Sequence, residues 1–251
     1  LINSGEAVLG EVICTRDDIM SFLISKGLDS NDAFLIMESV RKGRGLTDEQ
    51  KEKMLKLDLP SWYIDSCLKI KYMFPKAHAT AYVLMSFRIA YFKVHYPTAF
   101  YSTYFTTKLA DFPGSIIFKG LEAVKAEMRR IKNLGYDSSN KENSQYDVLE
   151  LAEEMYARGY EFEKPKLGIC NKNTFTVSEN NKIIPPYSAI DGVSAQHSIG
   201  LYEACKDGDF ISIEDLVNRS GVNKTAIEGL KNAGLLDGLQ ETNQIDLFSM
   251  L

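Results

Sequence analysis

Between Tyr72 and Pro97 the chain reads YMFPKAHATAYVLMSFRIAYFKVHYP: Phe74, Lys76 and His78 in one short turn, then a long apolar helix from Ala79 to Val94. A helix start leaves its first N–H groups without partners and carries a partial positive charge. An aromatic ring, an ammonium and an imidazole placed there can hold an anion beside a flat ligand. Phosphate plus base is such a ligand, so the stretch is a candidate nucleotide pocket. The alternative is a buried loop in which His78 bonds to backbone and Lys76 faces water.

The spacing of apolar residues stays helical from about Asp17 to Leu109. Asp17-Asp18 precede Ile19, Phe22 and Leu23, and Lys26-Gly27 supply a stop. Asp29 or Ser30 can cap a second helix carrying Phe34, Leu35, Met37 and Val40. Thr47 and Gln50 have the interval of a capping box. Pro60 opens a helix with Trp62, Ile64, Cys67 and Ile70, and Pro97 one that runs through Phe105. After Pro113-Gly114 a polar amphipathic helix is predicted over roughly Leu121 to Leu134. A loop follows from Asp137 to Asn143, then a helix from Tyr146 to Arg158. Phe175–Val177 and Lys182–Ile184 flank Glu179-Asn180-Asn181 as a β-hairpin, ended by Pro185-Pro186.

Length, at 251 residues, allows one large domain or two modest ones. No apolar run reaches the length of a membrane span; the longest is broken by Arg88 and Lys93. A start at Leu1 and no leader pattern read as a piece of a longer chain. The four cysteines, Cys14, Cys67, Cys170 and Cys205, lie far apart. With His78, His95 and His197 they form no zinc-like pairs, so they are expected to be buried thiols in a reducing cytosol. A net charge of −5 restricts any nucleic-acid contact to local patches, or to other parts of a larger protein.

One such patch is VRKGRGL, where Arg41, Lys42 and Arg44 alternate with Gly43 and Gly45. Glycines let a backbone approach phosphate and arginine forks pair with phosphate oxygens. A helix C-terminus favours the same residues. The run KIKYMFPKAHATAYVLMSFRIAYFKVHYP strongly resembles the fingers region of the bacterial replicative DNA polymerase III alpha subunit in its PolC form. RDDIMSFLISKGL, VRKGRGLT and SWYIDSC resemble the same family in the same order. The resemblance implies that Arg41, Lys42, Arg44, Lys71, Lys76 and His78 form the basic wall of a nucleotide site, with Phe74 or Tyr82 against base or sugar.

Further along, AIDGVSAQHSIGLYEA resembles a helix-hairpin-helix motif, whose hairpin offers backbone N–H groups to a duplex phosphate. Gly192, Val193, Ser194 and Gln196 are its candidate DNA contacts. Ser194 stands where a second glycine is usual, which makes the tightness of the hairpin an open point. A looser copy runs from Ser220 to Leu236 and brings Lys224 to the second turn. A plain helical hairpin would read alike, and the segment is acidic, so contact would be weak. At the end, Gln244, Ile245, Leu247 and Phe248 resemble the tail by which bacterial polymerases hold the sliding clamp; the other reading folds Leu247 and Phe248 back on this chain.

The expected fold is therefore mainly α: a helical fingers lobe over 1–112, a helical and β-hairpin extension over 113–184, a tandem helix-hairpin-helix domain over 185–240 and a clamp-binding tail over 241–251. The implied function is alignment of a deoxynucleoside triphosphate on primed template DNA within a cytoplasmic bacterial polymerase, tethered to the clamp and the remaining replisome subunits, away from any membrane. In that family Mg2+ is held by palm aspartates upstream, which have no match here, so no catalytic or metal residue is assigned and the segment alone is expected to be inactive. Asp17-Asp18 fit a helix N-terminus instead. The competing class is a non-catalytic DNA-binding or clamp-tethered adaptor with a polymerase-like fold.

Overall fold

A computed structural model describes residues 1–243. They fall into two compact units that divide between Ala90 and Tyr91. The fold is mainly α with one short hairpin.

Unit 1 contains α1 (Arg16–Ser25), α2 (Ser30–Arg41), α3 (Asp48–Leu55), α4 (Ser61–Lys69) and the first three turns and more of α5 (Lys76–His95). Capping chemistry sets the starts. Asp18 accepts from the backbone and hydroxyl of Thr15, both at 2.8 Å. Asp29 accepts from the amides of Asn31 and Asp32, and Thr47 and Gln50 close a reciprocal box. The core joins Ile19 and Leu23 of α1 to Ala33, Ile36, Met37 and Val40 of α2, with Met54, Tyr63 and Cys67.

In two helices the inward face runs only partly through the apolar residues named from the sequence. In α2 the buried stripe runs through Ala33, Ile36, Met37 and Val40, while Phe34 and Leu35 are exposed. In α4 the inward residues are Tyr63 and Cys67, with Trp62 and Ile64 only half-buried. In α2 the small Ala33 lies in the core shared with Ile19 and Leu23 of α1. Helix α5 begins at Lys76, so Lys76 and His78 belong to its first turn, not to a preceding loop. None of its residues is buried; Val83, Leu84, Met85, Phe87 and Ile89 are all half exposed or more.

Unit 2 continues with α6 (Pro97–Thr107), α7 (Gly114–Ile117), α8 (Leu121–Leu134), α9 (Asn140–Ala157), β1 (Thr176–Val177), β2 (Ile183–Ile184), α10 (Ala195–Ala204), α11 (Ile213–Ser220) and α12 (Lys224–Asn232). The predicted loop over 137–143 is mostly helix, because Ser139 and Glu142 form a capping box that starts α9 at Asn140. The antiparallel hairpin pairs Thr176 with Ile184 and Val177 with Ile183, its turn closed by Asn181 in the left-handed region (φ 59°). One core gathers Tyr101, Phe105, Phe112, Val148, Leu149 and Phe175 around α6 and α9. A second gathers Tyr187, Leu201, Leu216, Val222, Ala226 and Leu230 around α10 to α12. Of the four thiols, Cys67 and Cys170 are buried and pushed up to about 12 by that burial. Cys205 is half-buried, and Cys14 is exposed, against expectation.

Candidate functional site

Three basic residues of unit 1, Arg41, Lys42 and Lys76, pair with carboxylates: Lys76 with Asp18, and Arg41 and Lys42 with Glu38. Arg41 ends α2, and its guanidinium donates to Glu38 from Nε (2.7 Å) and Nη2 (2.9 Å). Lys42 Nζ lies 3.1 Å from the same carboxylate, and Arg16 Nη1 lies 3.8 Å from it. Hydrogen bonds from Arg41 and then Lys42 hold Glu38 at about 2, far below the ordinary glutamate range. Arg44 and Lys71 are exposed and have no ion pair among the described residues.

Two turns bring the separated segments together. Gly43 takes a left-handed conformation (φ 67°), and a Cβ there would lie 2.3 Å from the Lys71 carbonyl oxygen. Glycine at 43 thus lets the 41–45 turn lie against Lys71, while Ser39 Oγ donates to Gly45 O at 2.8 Å. The Arg16 amide donates to Phe74 O at 3.2 Å, tying the start of α1 to the segment before α5. There the Lys76 amide donates to Asp17 (2.6 Å) and its ammonium to Asp18 (3.2 Å). The first turn of α5 already holds a protein carboxylate, as an N-terminus with free amides should. Burial pushes the Asp18 carboxyl up, but the bonds from Thr15 and Lys76 outweigh it and hold it low.

Beside these cations runs an aromatic ladder. Tyr72 meets Phe74 edge-on (5.1 Å), Phe74 stacks on His78 (5.0 Å, 13°), and His78 meets Tyr82 (4.6 Å). Phe74 and Tyr82 are half exposed or more. The surface thus joins π-faces to two uncommitted cations, Arg44 and Lys71, and can meet a phosphorylated, flat ligand through charge and stacking. A separate cavity of about 1090 Å³ in unit 1, bordered by Phe22, Trp62, Tyr63, Val83 and Phe87, includes only Lys76 of the expected site residues. Among the described residues no three His, Cys, Asp or Glu side chains gather to hold a metal ion. Asp17 and Asp18 are taken up as helix caps.

In unit 2 the two hairpin turns are built alike. Gly192-Val193-Ser194 leads into α10, and Gly221-Val222-Asn223 into α12. Each glycine is left-handed (φ 86° and 69°) and each valine buried. Each third residue caps its helix: Ser194 accepts from the His197 amide, Asn223 from the Ala226 amide. Ser194 has φ −70°, so that position needs a cap and not a second glycine. The packing is reciprocal. A Cβ on Gly200 of α10 would sit 2.1 Å from Ser220 O, and one on Gly229 of α12 would sit 1.9 Å from Asp191 O. Each helix therefore presses on the residue just before the other hairpin's glycine. Gly192, Ser194, Gln196 and Lys224 are exposed around the two turns, while Val193 packs inward.

Arg219 is not part of that surface. It donates to the carbonyls of Ala204, Gly208 and Asp209 and to Asp215, and lies over the Phe210 ring at 4.4 Å. Arg219→Ala is expected to destabilise the module by about 2–3 kcal/mol, because several acceptors lose a charged donor together. Lys224→Ala, at an exposed side chain, should change stability by less than about 0.5 kcal/mol. Urea titration of the two variants measures the difference.

The helix-hairpin-helix motif family model matches residues 159–245. The chain's relatives are more particular. The protein called DNA polymerase III PolC-type from Halalkalibacterium halodurans is 51% identical over 99% of this chain and 17% of its own length. That of Caldanaerobacter subterraneus subsp. tengcongensis is 49% identical over 99% of the chain and 18% of its length. That of Listeria monocytogenes is 49% identical over 99% and 17%. The chain is homologous to one segment of PolC-type DNA polymerase III. It spans under a fifth of the length of the curated relatives it matches.

The clamp-tail residues Gln244, Ile245, Leu247 and Phe248 lie outside the described residues. Glu38 was legible in principle: it stands three residues before Arg41 and four before Lys42, the helical spacing for ion pairs. Arg16 and Asp17 join through tertiary contacts that no local pattern signals.

Proposed function

We propose that this chain is the C-terminal part of a replicative PolC-type DNA polymerase. Unit 1 belongs to the fingers and receives the incoming deoxynucleoside triphosphate. Arg41, Lys42, Arg44, Lys71 and Lys76 face its phosphates, and Phe74, His78 and Tyr82 its base and sugar. The tandem hairpins hold the duplex of primed template DNA through phosphates, with Gly192, Val193, Ser194, Gln196 and Lys224 at the contact. The tail residues Gln244, Ile245, Leu247 and Phe248 engage the sliding clamp. Nucleotidyl transfer belongs to palm carboxylates and Mg2+ outside this segment, so the segment alone does not polymerise. The whole enzyme works in the bacterial cytoplasm with the remaining replisome subunits.

One observation carries this reading. The 41–45 turn, Lys71 and the Phe74–Tyr82 ladder lie together on unit 1, in a chain about half identical to proteins called DNA polymerase III PolC-type. The all-round apolar exposure of α5 also suits a part of something larger, since a helix hydrophobic on every side belongs in an interior.

The test is steady-state kinetics of the complete polymerase on primed template. Arg44→Ala or Lys71→Ala removes a cation with no ion pair among the described residues. Each should raise the nucleotide KM about tenfold, the size of one lost charge-assisted phosphate contact. Unchanged KM and turnover in both would refute the assignment of unit 1.

A further inference from the structure

Glu38 is where the cations of unit 1 meet. Its carboxylate takes both guanidinium bonds of Arg41 and pairs with Lys42, while Arg16 reaches it at 3.8 Å and reaches Asp17 at 3.9 Å. A bidentate arginine on a carboxylate is the geometry it also adopts on phosphate. Three of the five cations assigned to the triphosphate are therefore already matched to anions of this chain, Arg41 and Lys42 to Glu38 and Lys76 to Asp18. The Glu38 side chain keeps a fifth of its surface open to solvent, so the pair lies at the edge of the fold and not in its core.

We propose that Glu38 is the resident counter-ion of the nucleotide seat, a carboxylate from which an incoming triphosphate takes over Arg41 and Lys42. The proposal rests on the reading of unit 1 as a nucleotide-binding surface. In the empty state Glu38 keeps both cations extended and neutralised at the end of α2. In the bound state it is a negative charge close to the phosphates and weakens their hold. That repulsion falls on the pyrophosphate product too and favours its departure. The sign distinguishes this from a scaffolding role: a counter-ion lowers affinity for the triphosphate, whereas a scaffold raises it.

The experiment compares Glu38→Gln, Glu38→Asp and Arg41→Ala in the complete polymerase on primed template, with melting temperature as the check on folding. Glu38→Gln keeps shape and removes charge. It should lower the nucleotide KM about two- to fivefold, the scale of a partly exposed ion pair. Pyrophosphate should inhibit at a correspondingly lower concentration. The change belongs in KM, because the charge opposes ground state and transition state alike. Where Glu38→Gln does not fold, Glu38→Asp, which shortens the reach to Arg41, should also lower KM. An unchanged or raised KM with Glu38→Gln, beside a raised KM with Arg41→Ala, overturns the role of Glu38 and leaves the site standing. No change with either variant overturns the reading of unit 1 itself.

Discussion

Gly229→Ala is expected to open the tandem hairpin module, although alanine is the better helix former. Within α12 the exchange gains about 1 kcal/mol of helix propensity. Against that stands a Cβ placed 1.9 Å from the Asp191 carbonyl oxygen and 3.1 Å from its carbon, both backbone atoms that cannot swing aside. Relieving the overlap means moving α12 away from the first hairpin. That would uncover Ala226 and Leu230, both fully buried. Overpacking of a close backbone contact costs on the order of 3 kcal/mol and exceeds the propensity gain. Gly200→Ala should act likewise through Ser220 O, at 2.1 Å. Both variants are expected to lose hydrogen-exchange protection in α10 to α12. A melting temperature unchanged in both would contradict the reciprocal packing.

Phe105→Ala should be at least as costly, for a different reason. The ring is fully buried, with Phe112, Phe162 and Phe175 at 5.4, 5.5 and 5.7 Å between centroids. These rings come from α6, from the segment after it and from the segment between α9 and β1. Truncation removes the transfer energy of the ring and leaves a cavity that three aromatic neighbours cannot collapse into. The expected loss is about 3–5 kcal/mol, read as faster amide exchange in α6 and α9. Tyr136→Ala, at a wholly exposed ring, should be close to neutral and serves as the control.

Local chemistry made the helices readable. Thr47–Gln50 and Asp29 cap the helices expected of them, α8 spans Leu121–Leu134, and the hairpin sits between Phe175 and Ile184. Where the reading missed, the deciding term was tertiary or had been underweighted. Ser139 and Glu142 form as strong a cap as Thr47 and Gln50, yet the polar run around them suggested a loop. Ala33 lies in the α1–α2 core while the bulkier Phe34 and Leu35 are exposed, because helix approach selects a small residue. Lys76 and His78 entered α5, where Asp17, distant in sequence, accepts from the first amide.

The hairpin repeat was partly legible. Gly192-Val193 and Gly221-Val222 announce it, but Gly200 and Gly229, at matching places further along each helix, complete it and went unread. A glycine inside a helix costs stability by itself, so two in the same register call for a packing reason. The basic patch was legible as charge but not as geometry. Arg41 and Lys42 look available in sequence, and Glu38 is what commits them.

The most direct test of the central claim is photo-crosslinking of an azido-deoxynucleoside triphosphate to the complete polymerase on primed template, with the labelled peptide identified by mass spectrometry. The account predicts label between Lys71 and Tyr82, suppressed by the matching unmodified nucleotide. Label confined to peptides outside unit 1 would contradict it.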